Sequence, residues 1–445
     1  MLGREQLQHL LSAPLAASPA DETEIVVLAA DDALTRFANS GIHQNVYERN
    51  AEVRVRAVVG RRSGVVVTNR LDPPALTDAV AQATAIARLQ PENPDFPGLP
   101  EPQAIAPLHP FAEATAAYSP AQRARAVRAV CDLAVERGLT ASGAFSTGVR
   151  ELAVANSKGL FAYQASTRAH FTTVILGEDS SGYAERAATD VQALDVEALG
   201  REAIERALRG RQPQTVAPGE YRVVLEPYAV AEMLDYLAYI GLGALALQEG
   251  RSFLCGRLGQ PVAAAAVSLW DDGHDPRGLP QAFDFEGVPK QRVELISQGV
   301  ARGVVYDRET AAKEGRASTG HALPAPNTLG PLPGNLFLAP GNAGREELLR
   351  GLDRGLWVTR FWYVNVVHPL HTILTGMTRD GTFLVEHGEV VGPVRNLRFT
   401  TSVLDALASV EAISREAIVL PNWFGGDVVP ALLVGRFRFT GITEF

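Results

Sequence analysis

Three groups of side chains in this 445-residue chain have the types and spacing to do chemistry. The densest is the run 271–275 (DDGHD), in which Asp271, Asp272, His274 and Asp275 offer the donors that hold a hard metal ion. The same composition is what turns use, because short polar side chains bond their own backbone and glycine accepts positive φ. The second group lies in the run 360–368 (RFWYVNVVH), where Arg360, Tyr363, Asn365 and His368 could line a groove for an extended peptide. As an apolar run it reads equally as a core strand. The third is the pair His368 and His371, which has a proline between its members and therefore cannot share a regular helix. No glutamate accompanies it as a general base.

Other signatures are absent. The chain has no GxxxxGK phosphate loop, no GxSxG nucleophile elbow, no SxxK pair and no HExxH. Residues 241–246 (GLGALA) fit GxGxxA formally, but they lie in an apolar helical pattern instead of after a strand, so they read as close helix packing. Cys131 and Cys255 are too far apart for a CxxC site, and both read as buried thiols in a reducing cytoplasm.

Bulk properties restrict the function further. Apolar residues make up 46% and charged residues 20%, the balance of an ordinary globular protein. The net charge of -9 gives no basic field for a nucleic acid, so no nucleic-acid partner is expected. Three lysines (Lys158, Lys290, Lys313) stand against 38 arginines, and no function follows from that bias. The N-terminal segment lacks the continuous apolar stretch of a signal peptide, and the apolar run 228–247 contains Glu232 and Asp235. A cytoplasmic protein with no membrane partner is expected.

The elements that must position these residues fall into three segments, with proline-rich linkers at 91–110 and 211–219 placing boundaries near 107 and 218. The expected domains are 1–107, 108–217 and 218–445. The first two look like copies, since Phe37-Ala38-Asn39-Ser40 recurs as Val154-Ala155-Asn156-Ser157. Each is followed by period-two alternation, Val53, Val55 and Ala57 in one and Phe171, Thr173 and Ile175 in the other. Each then closes on a helical stretch, 74–89 and 195–208. A further helix is signalled by Ser119, Pro120 and Gln122 at its start and Gly138 at its end, with Val127, Val130, Cys131 and Ala134 facing a core. Beyond 218 strands dominate: hairpins turn at Gln298-Gly299 and His387-Gly388, 356–367 reads as a strand buried on both faces, and helices are expected at 228–247 and 402–413. The fold class is α+β, a duplicated antiparallel-sheet-plus-helix N-terminal half followed by a β-rich C-terminal domain, barrel-like or sandwich.

The stretch 271–307, with its DFEGVPKQR segment and the STGH of 318–321 after it, resembles the TldD/PmbA peptidase family. So do LTGMTRDGTFLVEHGEVVGPVRNLRF (374–399) and TRFANSGIHQN (35–45). The resemblance implies a dimer acting on unstructured peptides. TldD-type members carry HExxxH on a helix after the second linker and a C-terminal cysteine as zinc ligands, whereas PmbA-type (TldE) members pair with them and hold no metal. Matched without gaps from Val223, the motif positions here fall on Asp235, Tyr236 and Ile240, and the cysteine position near Asn422. Asparagine is a poor zinc ligand and isoleucine is none. Without a metal-bound water the family's hydrolysis cannot run on this chain. The expectation is a PmbA/TldE-like subunit, inactive alone and with no cofactor of its own, zinc being held by a TldD-like partner. The alternatives are a hydrolase with a non-standard metal site at Asp271, Asp272, His274 and Asp275, or a homodimeric peptide-binding protein.

Overall fold

The computed structural model describes residues 1–443. Its first half repeats one unit. Helix α1 (Arg4–Ala16) leads into strands β1 (Glu22–Ala38), β2 (Gly41–Val59) and β3 (Arg62–Thr68), which close on α2 (Pro73–Leu89). In the second copy the single turn α3 (Glu113–Ala116) and helix α4 (Pro120–Glu136) lead into β4 (Thr140–Asn156), β5 (Phe161–Leu176) and β6 (Ser181–Ala188), closed by α5 (Val196–Arg209). The copies join edge to edge into one six-stranded sheet of order β3-β2-β1-β4-β5-β6.

The alternation read from the sequence decides which face the helices cover. Val53, Val55 and Ala57 are fully buried with Leu7, Leu11, Leu76 and Val80 in the first copy. Phe145, Phe171 and Ile175 are buried with Val127, Val130 and Ala203 in the second. Each such burial is worth about 1.5–3 kcal/mol for a large aliphatic side chain. Both copies use a glycine to bring the closing helix down: a Cβ on Gly64 would meet the Ala83 carbonyl at 2.2 Å, and one on Gly182 the Ala203 carbonyl at 2.0 Å. Ser119 caps α4, and its side chain and that of Gln122 form the reciprocal capping box.

The rest of the chain runs through β7 (Gly219–Leu225), α6 (Pro227–Gly241), α7 (Ala244–Gln248), β8 (Leu269–Asp271), β9 (Val293–Ser297), β10 (Val300–Ala301), α8 (Arg308–Lys313) and β11 (Leu336–Leu338). It continues through α9 (Arg345–Arg350), β12 (Arg354–His368), β13 (Ile373–Glu386), β14 (Glu389–Pro393), β15 (Leu397–Ser402), α10 (Val403–Ala408), β16 (Val410–Pro421) and β17 (Gly426–Ile442). These strands form one large mixed sheet. The pairings β7–β12, β12–β13, β13–β15, β15–β17 and β17–β7 close a ring, so the sheet curls into a barrel-like core. Helix α6 packs against β12 and β17 with most of its surface buried. Among the described residues no helix is long and apolar enough to cross a membrane.

Four local expectations need correction. The helix expected over 228–247 breaks at Gly243, which turns extended so that Leu242 and Ala244 can bond Val305 on either side. The helix expected over 402–413 ends at Ala408, because the chain from Val410 joins β17 as a strand. Strand β12 is buried on both faces only as far as Phe361, and from Trp362 onward it projects with Tyr363, Asn365 and Val367 exposed. Cys131 is buried as expected, but Cys255 is exposed.

Candidate functional site

The helix α6 is apolar nearly all round except for one stripe. Glu232, Asp235, Tyr236 and Tyr239 follow the i, i+3, i+4, i+7 spacing that puts side chains on one helix face. Ile240 lies off that stripe, buried in the hydrophobic core. Of the four positions matched to a metal motif, the structure therefore brings Asp235, Tyr236 and Asn422 to one place and leaves Ile240 out.

The loop from β16 to β17 meets this stripe. Asn422 accepts hydrogen bonds from the backbone amides of Phe424, at 2.9 Å, and Gly425, at 2.5 Å, which folds the loop into a tight turn. A Cβ on Gly425 would stand 2.2 Å from the Gly334 carbonyl, so the turn can sit there only as glycine. The Asn422 amide donates to Asp427 Oδ1 at 2.6 Å. Asp427 is fully buried with the Asp235 carboxyl beside it, and its second oxygen makes no hydrogen bond of good geometry among the described residues. Burial, and then the neighbouring Asp427, push the Asp235 carboxyl well above the usual carboxylate range. Burial likewise pushes Asp427 up, to about 7. Two buried carboxyl groups this close resist ionising together.

An aromatic rim surrounds the pair. Trp423, exposed by 58%, packs edge-on against Tyr236 and Tyr239 with ring centroids 6.0 and 5.5 Å away. The Tyr236 hydroxyl donates to the Val364 carbonyl at 2.5 Å, which fixes that ring against β12.

The sheet face not covered by helices supplies further groups. His170 Nε2 and the Tyr183 hydroxyl each lie 2.7 Å from a carboxylate oxygen of Glu185. The Arg360 guanidinium is 4.0 Å from the Tyr183 ring centroid and is held by Asp380 at 2.6 Å. Burial pushes Glu232 upward, Arg360 opposing and Glu185 reinforcing that shift. None of His170, Tyr183, Glu185, Glu232 or Asp427 was singled out in the sequence. The one visible signal was the polar phase of β5, where His170 and Thr172 alternate with core residues.

The other sequence candidates separate. Asp271 is fully buried against His321 Nε2 at 2.7 Å, Lys290 Nζ at 3.5 Å and the Asn335 amide at 2.6 Å. Asp272 accepts the His274 amide at 2.9 Å, and Asp275 is taken by Arg277 Nε at 2.9 Å. The four side chains take different partners: Asp271 is buried at the end of β8, while Asp272 and Asp275 bond the turn that follows it. Among the described residues no three His, Cys, Asp or Glu side chains are grouped as metal ligands would be. Of the groove candidates only Arg360 reaches the site. Tyr363, Asn365 and His368 lie on the projecting end of β12, where the His368 and His371 rings stand 4.4 Å apart in the open. The side chains gathered around Asp235 do not make a zinc site, since among the described residues no third carboxylate, histidine or cysteine is grouped with Asp235 and Asp427, and Asn422 is engaged by the turn and by Asp427.

Family models for the PmbA/TldA metallopeptidase match the whole length: domain 1 over residues 23–87, the central domain over 98–211 and the C-terminal domain over 218–441. A metalloprotease of Methanothermobacter thermautotrophicus is 25% identical over 59% of each chain, so the match spans about three fifths of that relative's length. A metalloprotease PmbA homolog of Haemophilus influenzae is 25% identical over 93% of this chain and 92% of its own. In fold, the crystal structure of TldE from Thermococcus kodakarensis superposes with a TM-score of 0.90 at 23% identity, covering 98% of this chain and 100% of that one.

Proposed function

Because this chain belongs to the PmbA/TldD metallopeptidase family, we propose that it is a PmbA/TldE-type subunit, working in the cytoplasm with a TldD-like partner on unstructured peptides and cleaving nothing alone. One observation carries the reading. Where hydrolytic members need zinc ligands, this chain has a buried Asp235–Asp427 carboxyl pair braced by Asn422, with no histidine or cysteine grouped beside it among the described residues. Without a nitrogen or sulfur ligand beside them, these groups do not make the site that holds zinc and acidifies a water. The aromatic rim of Trp423, Tyr236 and Tyr239 supports a role in holding extended peptides, since aromatic side chains contribute large contact area at low entropic cost.

The test is cleavage of a disordered, fluorogenic peptide by this chain, by an HExxxH-bearing relative from the same organism, and by the mixture, with the zinc content of each measured. Activity that needs the mixture, with zinc on the relative alone, is the expected result. Cleavage by this chain alone with bound zinc refutes the reading. Peptide binding without cleavage in any arm favours a homodimeric binding protein instead.

A further inference from the structure

Beside the Asp235 site, the helix-free face of the N-terminal sheet is partly roofed by the C-terminal domain, leaving a half-open cavity of about 390 Å³. Its floor comes from facing positions on neighbouring strands, with Ala30, Arg150 and Ser166 in one row and Asp32, Gly148 and Arg168 in the next. Its roof is Leu279, Phe285 and the Phe424-Gly425 turn. That turn is the one Asn422 shapes, and Arg168 is two residues from His170 on the same face of β5, so cavity and site are neighbours.

The cavity has an apolar wall, neutral polar groups from Gln164, Ser166, Thr189 and Gln281, and a charged end that is unbalanced. Arg168 makes no hydrogen bond or ion pair among the described residues. Its burial, and then the neighbouring Arg150, push the guanidinium down to about 10, with Glu185 and Asp32 opposing only in part. Arg150 has one acidic partner, Asp32, at 4.0 Å, and both are about half exposed. Leaving a partly desolvated guanidinium unpaired is costly, and a bidentate anion in the cavity would relieve it. The wall of Leu28, Leu152, Leu279, Phe285 and Phe424 selects among anions, because it suits one bearing an apolar side chain and gives free phosphate nothing.

We propose that Arg168 and Arg150 form a subsite for the C-terminal carboxylate of an extended peptide, whose last side chain fills the apolar part of this cavity. The proposal rests on the reading that the chain handles peptides, and it adds a polarity: the peptide's C-terminal end lies under the Phe424 turn.

The experiment compares a disordered peptide, N-terminally labelled, as free acid and as C-terminal amide, by fluorescence anisotropy on the full chain, on Arg168→Gln and on Arg150→Gln. The short probe N-acetyl-alanyl-leucine, its amide and inorganic phosphate are tested in parallel by thermal shift. The free acid should bind about tenfold more tightly than the amide, and Arg168→Gln should abolish that preference. Since Arg168 has no partner to lose, the variant should melt no lower than the parent, which separates ligand binding from a structural role. Equal binding of acid and amide, or a preference that survives Arg168→Gln, overturns the subsite and leaves the peptide reading intact. Stabilisation by the short acid but not its amide, with no long-peptide binding, keeps the subsite and removes the groove. Stabilisation by phosphate equal to that by the short acid overturns the assignment to peptide termini.

Discussion

The carboxyl of Asp235 on α6 lies against that of Asp427 at the start of β17, a buried acid pair that favours holding a proton. Both groups sit above the ordinary carboxylate range, mainly through burial, Asp427 at about 7. A raised value means the folded chain holds more protons than the unfolded one between about pH 4 and pH 7. The stability gained is therefore full below that window and lost as pH rises through it. Asp235→Asn supplies an N–H donor that never titrates, so the fall in melting temperature between about pH 5 and pH 8 should flatten relative to the parent. Buried Asp284, pushed up to about 8, adds a decline of its own that the variant leaves in place. A slope identical to the parent's would show that the two carboxyls do not share a proton.

Among the described residues Lys290 is the one lysine or arginine paired with Asp271, and burial pushes the neighbouring His321 down. Although burial works the other way, Lys290 and then His321 hold Asp271 well below the usual carboxylate range. Lys290→Met strands a buried carboxylate and should cost about 3–5 kcal/mol by urea unfolding. His274→Ala, on the neighbouring turn, should stay within about 0.5 kcal/mol. Equal losses at the two positions would return the Asp-rich turn to the list of functional candidates.

Trp423 is more than half exposed, and its ring packs against Tyr236 and Tyr239. Trp423→Ala should leave the melting temperature close to the parent's while weakening binding of a disordered peptide about tenfold. Unchanged affinity would remove the rim from the peptide-binding surface.

Ser119 supplies both halves of its capping box through contacts with Gln122. Ser119→Ala should cost about 1 kcal/mol in chemical denaturation without altering peptide binding. A neutral substitution would mean that α4 is held by its buried face alone.

Local signals carried far in this chain. The Ser119–Gly138 helix, the Gln298-Gly299 and His387-Gly388 turns and the alternation around Val55 and Phe171 depend on neighbours a few residues away, and each formed as the sequence indicated. Contacts between distant segments were not legible. Gly243 leaves the helix because of Val305, and Val410 becomes a strand because of β17. The site divides the same way. Asp235 and Asn422 could be reached through the family resemblance, but Asp427 looks like any turn aspartate until the loop folds it against α6. His170 and Arg168 read as a solvent face because nothing in β5 reveals that another domain covers it.

The order β3-β2-β1-β4-β5-β6 reads the same from either end, with the two copies meeting at antiparallel β1 and β4. That is the geometry of a twofold homodimer whose subunits have been tied into one polypeptide. In a free single copy the long edge of β1 would be bare, and a bare edge recruits another strand. Here the tether supplies that strand at every concentration. It also frees the two halves to diverge, so that one sheet face can carry Arg168, His170 and Glu185 on the second copy alone.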